Sequence, residues 1–314
     1  MKYMTTSEAS IKWGISDRRI RVLLNEGRIE GAIKTGRNWM IPIDANKPVD
    51  LREKTIFDFR GLDFNFSVVD SLKTKIDSKR PLDINTSKSL RESLIVDWTY
   101  NSNAIEGSTL TLYETKVVLE GITIGGKSVV EHLEAINHKE AIIFLEELVR
   151  ADSILTEWDI KSIHAIILKQ INDEYAGKYR NSNVIISGAS HVPPKHEQLY
   201  TLMEKLIYDF NHSWNKYHPV VQAALLHGEF VKIHPFIDGN GRTARLLLNF
   251  VLMKNGFTPV IIKNENRLTY YDSLDYAHTT KDYTNFIKLI NDLVIESSNL
   301  WLSLFWYVKI SLTK

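Results

Sequence analysis

Residues 234–245 bring together several kinds of side chain that take part in phosphate chemistry. The stretch His-Pro-Phe-Ile-Asp-Gly-Asn-Gly-Arg-Thr-Ala-Arg contains an imidazole, a carboxylate and two guanidinium groups beside two glycines. Apolar residues at helical spacing predict one helix over 220–233 and a second that carries residues 246–253. Gly239 and Gly241 let the backbone approach a ligand, and the free N–H groups that open the second helix attract an anion. We therefore predict an anion-binding loop between two helices.

Each polar residue of this loop has a chemical role that its side chain permits. The imidazole of His234 titrates near neutrality when unperturbed, so it can accept a proton from a hydroxyl nucleophile. Asp238 offers hard oxygen ligands that suit Mg²⁺. Arg242 and Arg245, about one helical turn apart, can bind phosphate oxygens in a bidentate manner. Taken singly, these residues are more simply explained by packing, a turn or a solvated surface, but their joint spacing indicates a nucleotide-handling active site.

The same stretch resembles the signature of the Fic family, His-x-Phe-x-Asp/Glu-Gly-Asn-Gly-Arg-x-x-Arg, and matches it at every fixed position. The resemblance extends from about Ser102 to the end of the chain. It implies transfer of AMP from ATP, with Mg²⁺, to a Ser, Thr or Tyr hydroxyl of a target protein, which can be the enzyme itself. The resemblance makes His234 the base and Asp238 the metal ligand, and it places the nucleotide phosphates against Gly239, Asn240, Gly241, Arg242 and Arg245.

A shorter stretch, residues 102–107, resembles the inhibitory motif of Fic proteins, Ser/Thr-x-x-x-Glu-Gly/Asn, with Ser102, Glu106 and Gly107 in its fixed positions. The resemblance implies that Glu106 pairs with Arg245 and takes the guanidinium that should hold the γ-phosphate. Glu106 would then autoinhibit the transfer, and it could also position a water that removes the AMP again. The alternative is that Glu106 is a surface residue at a helix end stopped by Gly107.

Residues 183–194 predict a β-hairpin with a strand at Val184 to Ile186 and a turn over 187–190. In Fic proteins the matching hairpin is the flap, which binds the target backbone by strand addition above the nucleotide. The nucleotide contacts expected from this flap are those of Val184, Ile185, Ile186 and Ser187.

The stretch around Tyr270 and Tyr271 matches the segment of the family on the adenine side, where paired aromatic rings can flank the base. The alternative is that both rings pack in the core. His278 stands where many relatives have Asn, so this chain departs from the family pattern next to the nucleoside.

A second phosphate-binding pattern, over residues 121–128, satisfies the P-loop consensus G-x-x-x-x-G-K-S/T. A P-loop follows a buried strand and needs a second strand that ends in a metal-binding acid. The apolar spacing of residues 112–119 predicts a helix instead. We therefore predict a glycine-rich loop between two helices, in which Lys127 binds no phosphate.

Residues 1–49 predict a small separate fold. A capping box at Thr5 and a stop at Gly14 predict one short helix, Ser16 can cap a second, and 29–43 alternates like a hairpin. This order resembles the winged helix-turn-helix of excisionase-type domains, which implies DNA binding, although a protein-interaction or dimerisation module stays open. The basic residues that could reach DNA are Arg18, Arg19, Arg21, Lys34 and Arg37.

The composition of the chain sets the remaining expectations. Its 314 residues, 44% apolar and 25% charged, suit a globular protein of one large or two modest domains. The chain has no cysteine, which excludes disulfides and suits a reducing cytosol. We find no signal-peptide pattern and no apolar stretch long enough to cross a bilayer, so we expect a cytoplasmic protein without a membrane partner. The net charge of +1 favours no partner, and a homodimer stays open.

These observations predict a mainly α protein with a helical Fic domain, a β-hairpin flap and a small winged helix-turn-helix before it. The predicted domains are 1–49, a helical extension over 50–100 that packs on the catalytic domain, and the catalytic domain over 101–314. The extension should pack through its aromatic residues Phe57, Phe59, Phe64 and Phe66. The predicted function is protein adenylyltransferase, and the alternative is a DNA-binding transcription regulator whose Fic domain only senses nucleotide.

Overall fold

A computed structural model describes residues 2–48, 57, 65–80 and 84–311. In these residues the chain forms twelve α-helices and one small three-stranded sheet, so the prediction of a mainly helical fold is confirmed. Phe59 and Phe64, which were expected to pack on the catalytic domain, lie outside the described residues. Phe57 is described and lies in the main core, edge-on to the rings of Trp214 and Tyr283.

The N-terminal module contains two helices and the whole sheet. Thr5 forms the predicted capping box with Glu8, and Gly14 ends the first helix in the left-handed conformation. The antiparallel sheet has the strand order β1-β3-β2, and Thr35 pairs with Asn38 across the hairpin turn. The elements are β1 (Tyr3–Met4), α1 (Thr6–Trp13), α2 (Asp17–Asn25), β2 (Ile33–Thr35) and β3 (Asn38–Pro42).

The other described residues form a bundle around a central pair of helices, α9 and α10. Helix α10 is buried on almost every side, because α4, α6 and α7 cover the faces that α9 leaves open. The helices are α3 (Ser67–Asp77), α4 (Ile84–Ile105), α5 (Leu112–Leu119), α6 (Val129–Arg150), α7 (Glu157–Leu168), α8 (Leu199–Tyr208), α9 (Pro219–Ile233), α10 (Asn240–Lys254), α11 (Arg267–Thr280) and α12 (Thr284–Ser311).

Local sequence signals set the ends of the two central helices. Pro219 occupies the first turn of α9, where its missing N–H costs nothing, and the side chain of His218 caps the N–H of Val220. His234 ends α9, and Gly239 precedes α10; both residues have left-handed backbone. The loop between the helices is therefore residues 234–239, and the rest of the predicted stretch, residues 240–245, forms the start of α10.

The P-loop pattern lies between helices, as predicted. The residues before it form α5, and Ser128 caps the first turn of α6. Lys127 is used locally, since its Nζ donates to the carbonyl oxygen of Thr109 at 2.6 Å and lies 3.4 Å from Glu114.

The predicted strands of the flap are wrong. Residues 181–195 are extended or turn-like and form no β-ladder. Within them, Val184 to Ile186 run to a turn in which Ala189 N donates to Ile186 O at 3.2 Å, so the turn is present without its strands. We call residues 183–194 the flap segment.

Side chains take the backbone groups that a hairpin would pair. The N–H groups of Ser190 and His191 donate to one oxygen of Asp275 on α11, at 2.8 and 3.2 Å. At the other end, Arg180 donates to the carbonyl oxygen of Pro194 at 2.6 Å. A ladder requires such groups to face a neighbouring strand, so these tertiary contacts replace it.

The N-terminal module and the α3 region both contact the bundle. Arg28 donates to Glu204 of α8 at 2.7 Å, and Asn46 donates to the carbonyl oxygen of Glu197 at 3.3 Å. Helix α3 packs along α12. None of the described helices has the length and apolar character that crossing a membrane requires.

Candidate active site

The loop between α9 and α10 is held by its own side chains. Asn240 braces it from inside, since its amide donates to Phe236 O at 2.9 Å and accepts from Phe236 N at 3.0 Å. Gly239 adopts a φ of 73°, which a residue with a Cβ rarely takes. The loop thus delivers its N–H groups to the start of α10 in a fixed conformation, which suits anion binding.

His164 supports the same loop from α7. Its Nδ1 accepts the N–H of Gly177 at 2.9 Å, so Nε2 carries the proton and donates to Asp238 O at 2.9 Å. The ring stacks on Phe236 with centroids 3.6 Å apart. Burial lowers the pKa of His164 to about 4, so the neutral tautomer is fixed at pH 7.

His234 is the histidine at the mouth of the loop. Its backbone is left-handed, with a φ of 51°, which is uncommon for a residue with a Cβ. Burial lowers the pKa of His234 to about 4. The imidazole is therefore neutral at pH 7 and has a lone pair that can accept a proton.

The side chain of Arg242 is buried against the loop rather than exposed to solvent. Its side chain is 3% exposed, and Nη1 donates to Glu134 of α6 at 2.8 Å while Nη2 lies 3.3 Å from Asp238. Burial raises the pKa of Glu134, and the nearby guanidinium opposes that rise. Arg242 therefore bridges two carboxylates and positions them as well as adding positive charge to the site.

Arg245 is held by the segment predicted to be inhibitory. Its Nη2 lies 2.7 Å from Glu106 Oε1 and donates to Ser102 O at 2.8 Å, while Nε donates to Ser102 Oγ at 3.0 Å. The arginine side chain is 4% exposed and the glutamate 31%. Ser102 and Glu106 lie one turn apart at the end of α4, so a single helix end presents both groups to the guanidinium.

The surroundings of Gly241 leave no room for a side chain. A Cβ built on it would collide with the Glu106 carboxylate and would lie 3.1 Å from Arg245 Nη1. The glutamate therefore reaches directly over the backbone that opens α10, the part of a helix whose free N–H groups suit an anion.

Asp238 is the exposed carboxylate of the loop. Its side chain is 62% exposed, and Oδ1 accepts the N–H of Gly239 at 2.6 Å. The described residues contain no cluster of three or more His, Asp or Glu side chains that could hold a metal by themselves. A Mg²⁺ ion in proteins often uses one or two carboxylates together with substrate phosphates and water, so this single carboxylate suits an ion that arrives with a nucleotide.

The predicted aromatic pair is divided between core and surface. Tyr270 is 1% exposed, and its hydroxyl lies 2.9 Å from His227 Nε2, so its ring packs in the core. Tyr271 is partly exposed and donates to Ile105 O at 3.3 Å, next to the Glu106 segment. His278 is buried and donates from Nε2 to Gly228 O at 2.9 Å.

The chain is similar to several known proteins. A family model described as the Fic/DOC family matches residues 154–252. The solved structure of Fic-1, residues 134–508, from C. elegans is 31% identical with a TM-score of 0.69, and the match covers 77% of this chain and 72% of that one. The chain belongs to the Fic/DOC family. A Fic domain containing signaling protein from Bacteroides thetaiotaomicron is 28% identical with a TM-score of 0.70, covering 76% of this chain and 97% of that one.

Curated relatives of this Fic protein carry an enzymatic name. Protein adenylyltransferase Fic from Nematostella vectensis is 41% identical over 199 residues, which cover 61% of this chain and 45% of that protein. The namesake from Drosophila grimshawi is 38% identical over 205 residues, covering 65% of this chain and 42% of that protein. The chain thus spans less than half the length of these relatives.

Sequence reasoning missed three residues that support the Fic site: Glu134, His164 and Arg180. A lone histidine or glutamate on a helix is usually an ordinary helix residue, and nothing in the spacing links α6 or α7 to residues 234–245. Arg180 stands three positions after Gly177 in a stretch that the sequence marks only as a helix break. Its position directly before the flap segment was the only available signal.

Proposed function

We propose that this Fic protein transfers AMP from ATP to a Ser, Thr or Tyr hydroxyl of a protein, including its own. The observation that carries the proposal is a neutral imidazole, His234, beside an anion-binding helix start whose arginine, Arg245, is held by Glu106. The name protein adenylyltransferase on relatives such as the one from Nematostella vectensis supports the same chemistry. The absence of cysteine suits a reducing compartment, and we place the reaction in the cytosol.

In the proposed reaction, the target hydroxyl loses its proton to His234 as its oxygen attacks the α-phosphorus of ATP. The new O–P bond forms while the bond to the pyrophosphate oxygen breaks, so AMP remains on the protein and pyrophosphate leaves. The N–H groups of Asn240 and Gly241 and the Arg245 guanidinium offset the negative charge that develops on the leaving group. Arg242, held between Glu134 and Asp238, adds positive charge behind the loop.

The exposed carboxylate of Asp238 fits a substrate-bound Mg²⁺, and we propose it as the protein ligand. When bound, the ion neutralises phosphate charge. His164 donates to the backbone carbonyl of Asp238, and the N–H of Gly239 donates to the Asp238 carboxylate. The protein therefore orients Asp238 before any nucleotide arrives. Tyr271 is the aromatic side chain of the predicted pair that remains accessible to the adenine, and the flap segment at Val184 to Ser187 is proposed to lie near the nucleotide.

The proposal includes autoinhibition by Glu106. The glutamate occupies the guanidinium of Arg245 and lies over the backbone of Gly241, so both groups that would hold the γ-phosphate are engaged. We propose that activation moves Glu106 aside, and that the same carboxylate can orient a water molecule for removal of AMP.

The test of the transferase proposal compares two radioactive labels on one variant. Glu106→Gly protein is incubated with Mg²⁺ and either α-³²P-ATP or γ-³²P-ATP, and protein-bound label is measured after denaturing electrophoresis. We expect label from the α position only, together with a gain of one AMP mass on an intact protein. Label from the γ position would identify phosphoryl transfer, and no label from either would oppose both reactions.

We further propose that residues 1–49, taken as a separate module, bind duplex DNA. This stretch has nine Lys and Arg against five Asp and Glu, a net charge of +4 in a chain whose total is +1. The apolar face of α2 is buried, whereas Arg18 and Arg21 lie on its exposed face and Arg37 lies exposed at the hairpin tip. This separation of faces suits a helix that enters a groove while a wing contacts phosphates.

The DNA proposal is tested by salt-dependent binding of labelled random-sequence duplex to the full chain. Arg18→Ala and Arg21→Ala, made one at a time, should each weaken DNA binding and reduce the slope of log affinity against log salt concentration by about 1. Lys88→Ala, on an exposed position of α4, is the matched control and should leave the slope unchanged. Equal slopes for the arginine variants and the control would restrict residues 1–49 to packing or protein interaction.

A further inference from the structure

One buried side chain, Arg180, joins the flap segment to the catalytic loop. Its Nε donates to the carbonyl oxygen of His234 at 2.9 Å. Its Nη1 donates to Ser182 O at 2.8 Å and its Nη2 to Pro194 O at 2.6 Å, so the same guanidinium holds the chain on both sides of the flap segment. The Arg180 N–H also donates to Pro235 O at 2.9 Å.

The chemistry of this contact is specific to arginine. Arg180 is 2% exposed, and burial lowers its pKa, yet its three side-chain acceptors are neutral carbonyl oxygens. Burying a cation carries a high desolvation cost that an apolar side chain would avoid. The planar guanidinium, with five donors in fixed directions, can tie three separate carbonyls at once. The arrangement therefore holds chain segments together rather than filling space.

The contact to His234 falls on a residue with an unusual backbone. His234 has a left-handed φ of 51°, which for a residue with a Cβ persists only where the surroundings hold it. By fixing the carbonyl of His234, and through its own N–H the carbonyl of Pro235, Arg180 fixes the peptide units that follow the imidazole. The direction of the ring depends on those units.

We infer that Arg180 is a positioning residue that sets the flap segment and the His234 imidazole in one fixed relation. This inference deepens the proposed transferase function and rests on it. The flap would present a target backbone, and His234 would accept the hydroxyl proton, so their relative placement decides whether the hydroxyl oxygen reaches the base. Arg180 supplies that placement through one rigid group, without contact with nucleotide or target.

Asp275 provides the matched control, because it holds the flap segment from another side. It accepts the N–H groups of Ser190 and His191 from its place on α11. Among the described residues, Asp275 makes no hydrogen bond to His234 or Pro235. Removing it should loosen the flap segment alone, whereas removing Arg180 should loosen the flap segment and the catalytic loop together.

The experiment places Arg180→Met, Arg180→Lys and Asp275→Ala in the Glu106→Gly background. Hydrogen exchange of peptides over 182–195 and 232–241 is followed by mass spectrometry, and self-labelling with α-³²P-ATP gives kcat and the KM for ATP. For Arg180→Met we expect faster exchange in both regions and a fall in kcat of about 100-fold, with the KM for ATP within about threefold, because misplacement affects the chemical step. Arg180→Lys, which keeps a cation but not the fork, should fall between the parent and Arg180→Met.

The outcomes separate coupling from general support. Asp275→Ala should speed exchange only over 182–195. Faster exchange in one region alone for both Arg180 variants, or a kcat of Arg180→Met within about threefold of the parent, would overturn the coupling. If Arg180→Met does not fold, as judged by its thermal unfolding midpoint, the hydrogen exchange of Arg180→Lys in the two regions decides the question. If the Glu106→Gly parent labels nothing, the proposed function fails, and the exchange data still decide whether Arg180 joins the two regions.

Discussion

Replacing His234 by alanine should abolish nucleotide transfer while the fold and nucleotide binding persist. His164 also contacts this loop, but both of its ring nitrogens are engaged, so it is not free to accept a proton. Loss of a general base lowers the rate by about 10²- to 10⁴-fold. Because burial lowers the pKa of His234 to about 4, the base is already neutral at pH 7. The transfer rate of the parent should therefore show no inflection from His234 between pH 6 and 8.

The measurement is label transfer from α-³²P-ATP in the Glu106→Gly background, together with the thermal unfolding midpoint and ATP binding by calorimetry. His132→Ala is the control, because His132 holds the loop before α6 through Ile124 N and Ser128 O and lies outside the site. Labelling by a well-folded His234→Ala protein at the parent rate would remove His234 from the mechanism. A parent rate that falls by half near pH 6.5 would contradict the lowered pKa of His234 or would show that another group is the base.

The central helices and their loop could be predicted because their signals are local. Apolar spacing predicted α9 and the part of α10 over residues 246–253, and the chemistry of residues 234–245 lies within one continuous stretch. The capping box of α1 and the loop before α6 follow the same rule. In each case the residues that decide the structure lie in one short continuous stretch of the chain.

The flap segment could not be predicted because its partners are distant in sequence. Alternating apolar residues at Val184 to Ile186 are typical of a strand, but a strand also needs a partner. Here Asp275 and Arg180 take backbone groups of Ser190 and Pro194, in the returning chain that would supply that partner. The supports of the catalytic loop were missed for the same reason: His164 lies 74 residues from Asp238, and Glu134 lies 108 residues from Arg242. The spacing of residues along the sequence does not indicate contacts between residues so far apart.

Replacing Glu106 by glycine should raise self-labelling by at least about tenfold, because it frees the Arg245 guanidinium. Arg245 and Glu106 are 2.7 Å apart, Ser102 also binds the guanidinium, and the arginine is almost fully buried. This ion pair should therefore be stronger than an exposed surface salt bridge, which contributes about 0 to 1 kcal/mol. Competition of even ~2 kcal/mol would suppress the competent state some thirtyfold. Glu120→Gly is the matched control, since Glu120 also ends a helix ahead of a glycine but lies exposed on α5.

Two further variants decide whether release of Arg245 is the cause. Glu106→Asp, shorter by one methylene, should weaken the contact to Arg245 and release only part of the inhibition. Glu106→Gly combined with Arg245→Ala should lose the gain, because the freed guanidinium is then missing from the phosphate site. Initial rates under saturating Mg-ATP give the comparison. If Glu106→Gly labels no faster than the unaltered chain, or if the double variant keeps the full gain, the Glu106–Arg245 pair does not govern access of the γ-phosphate, and the glutamate only ends α4.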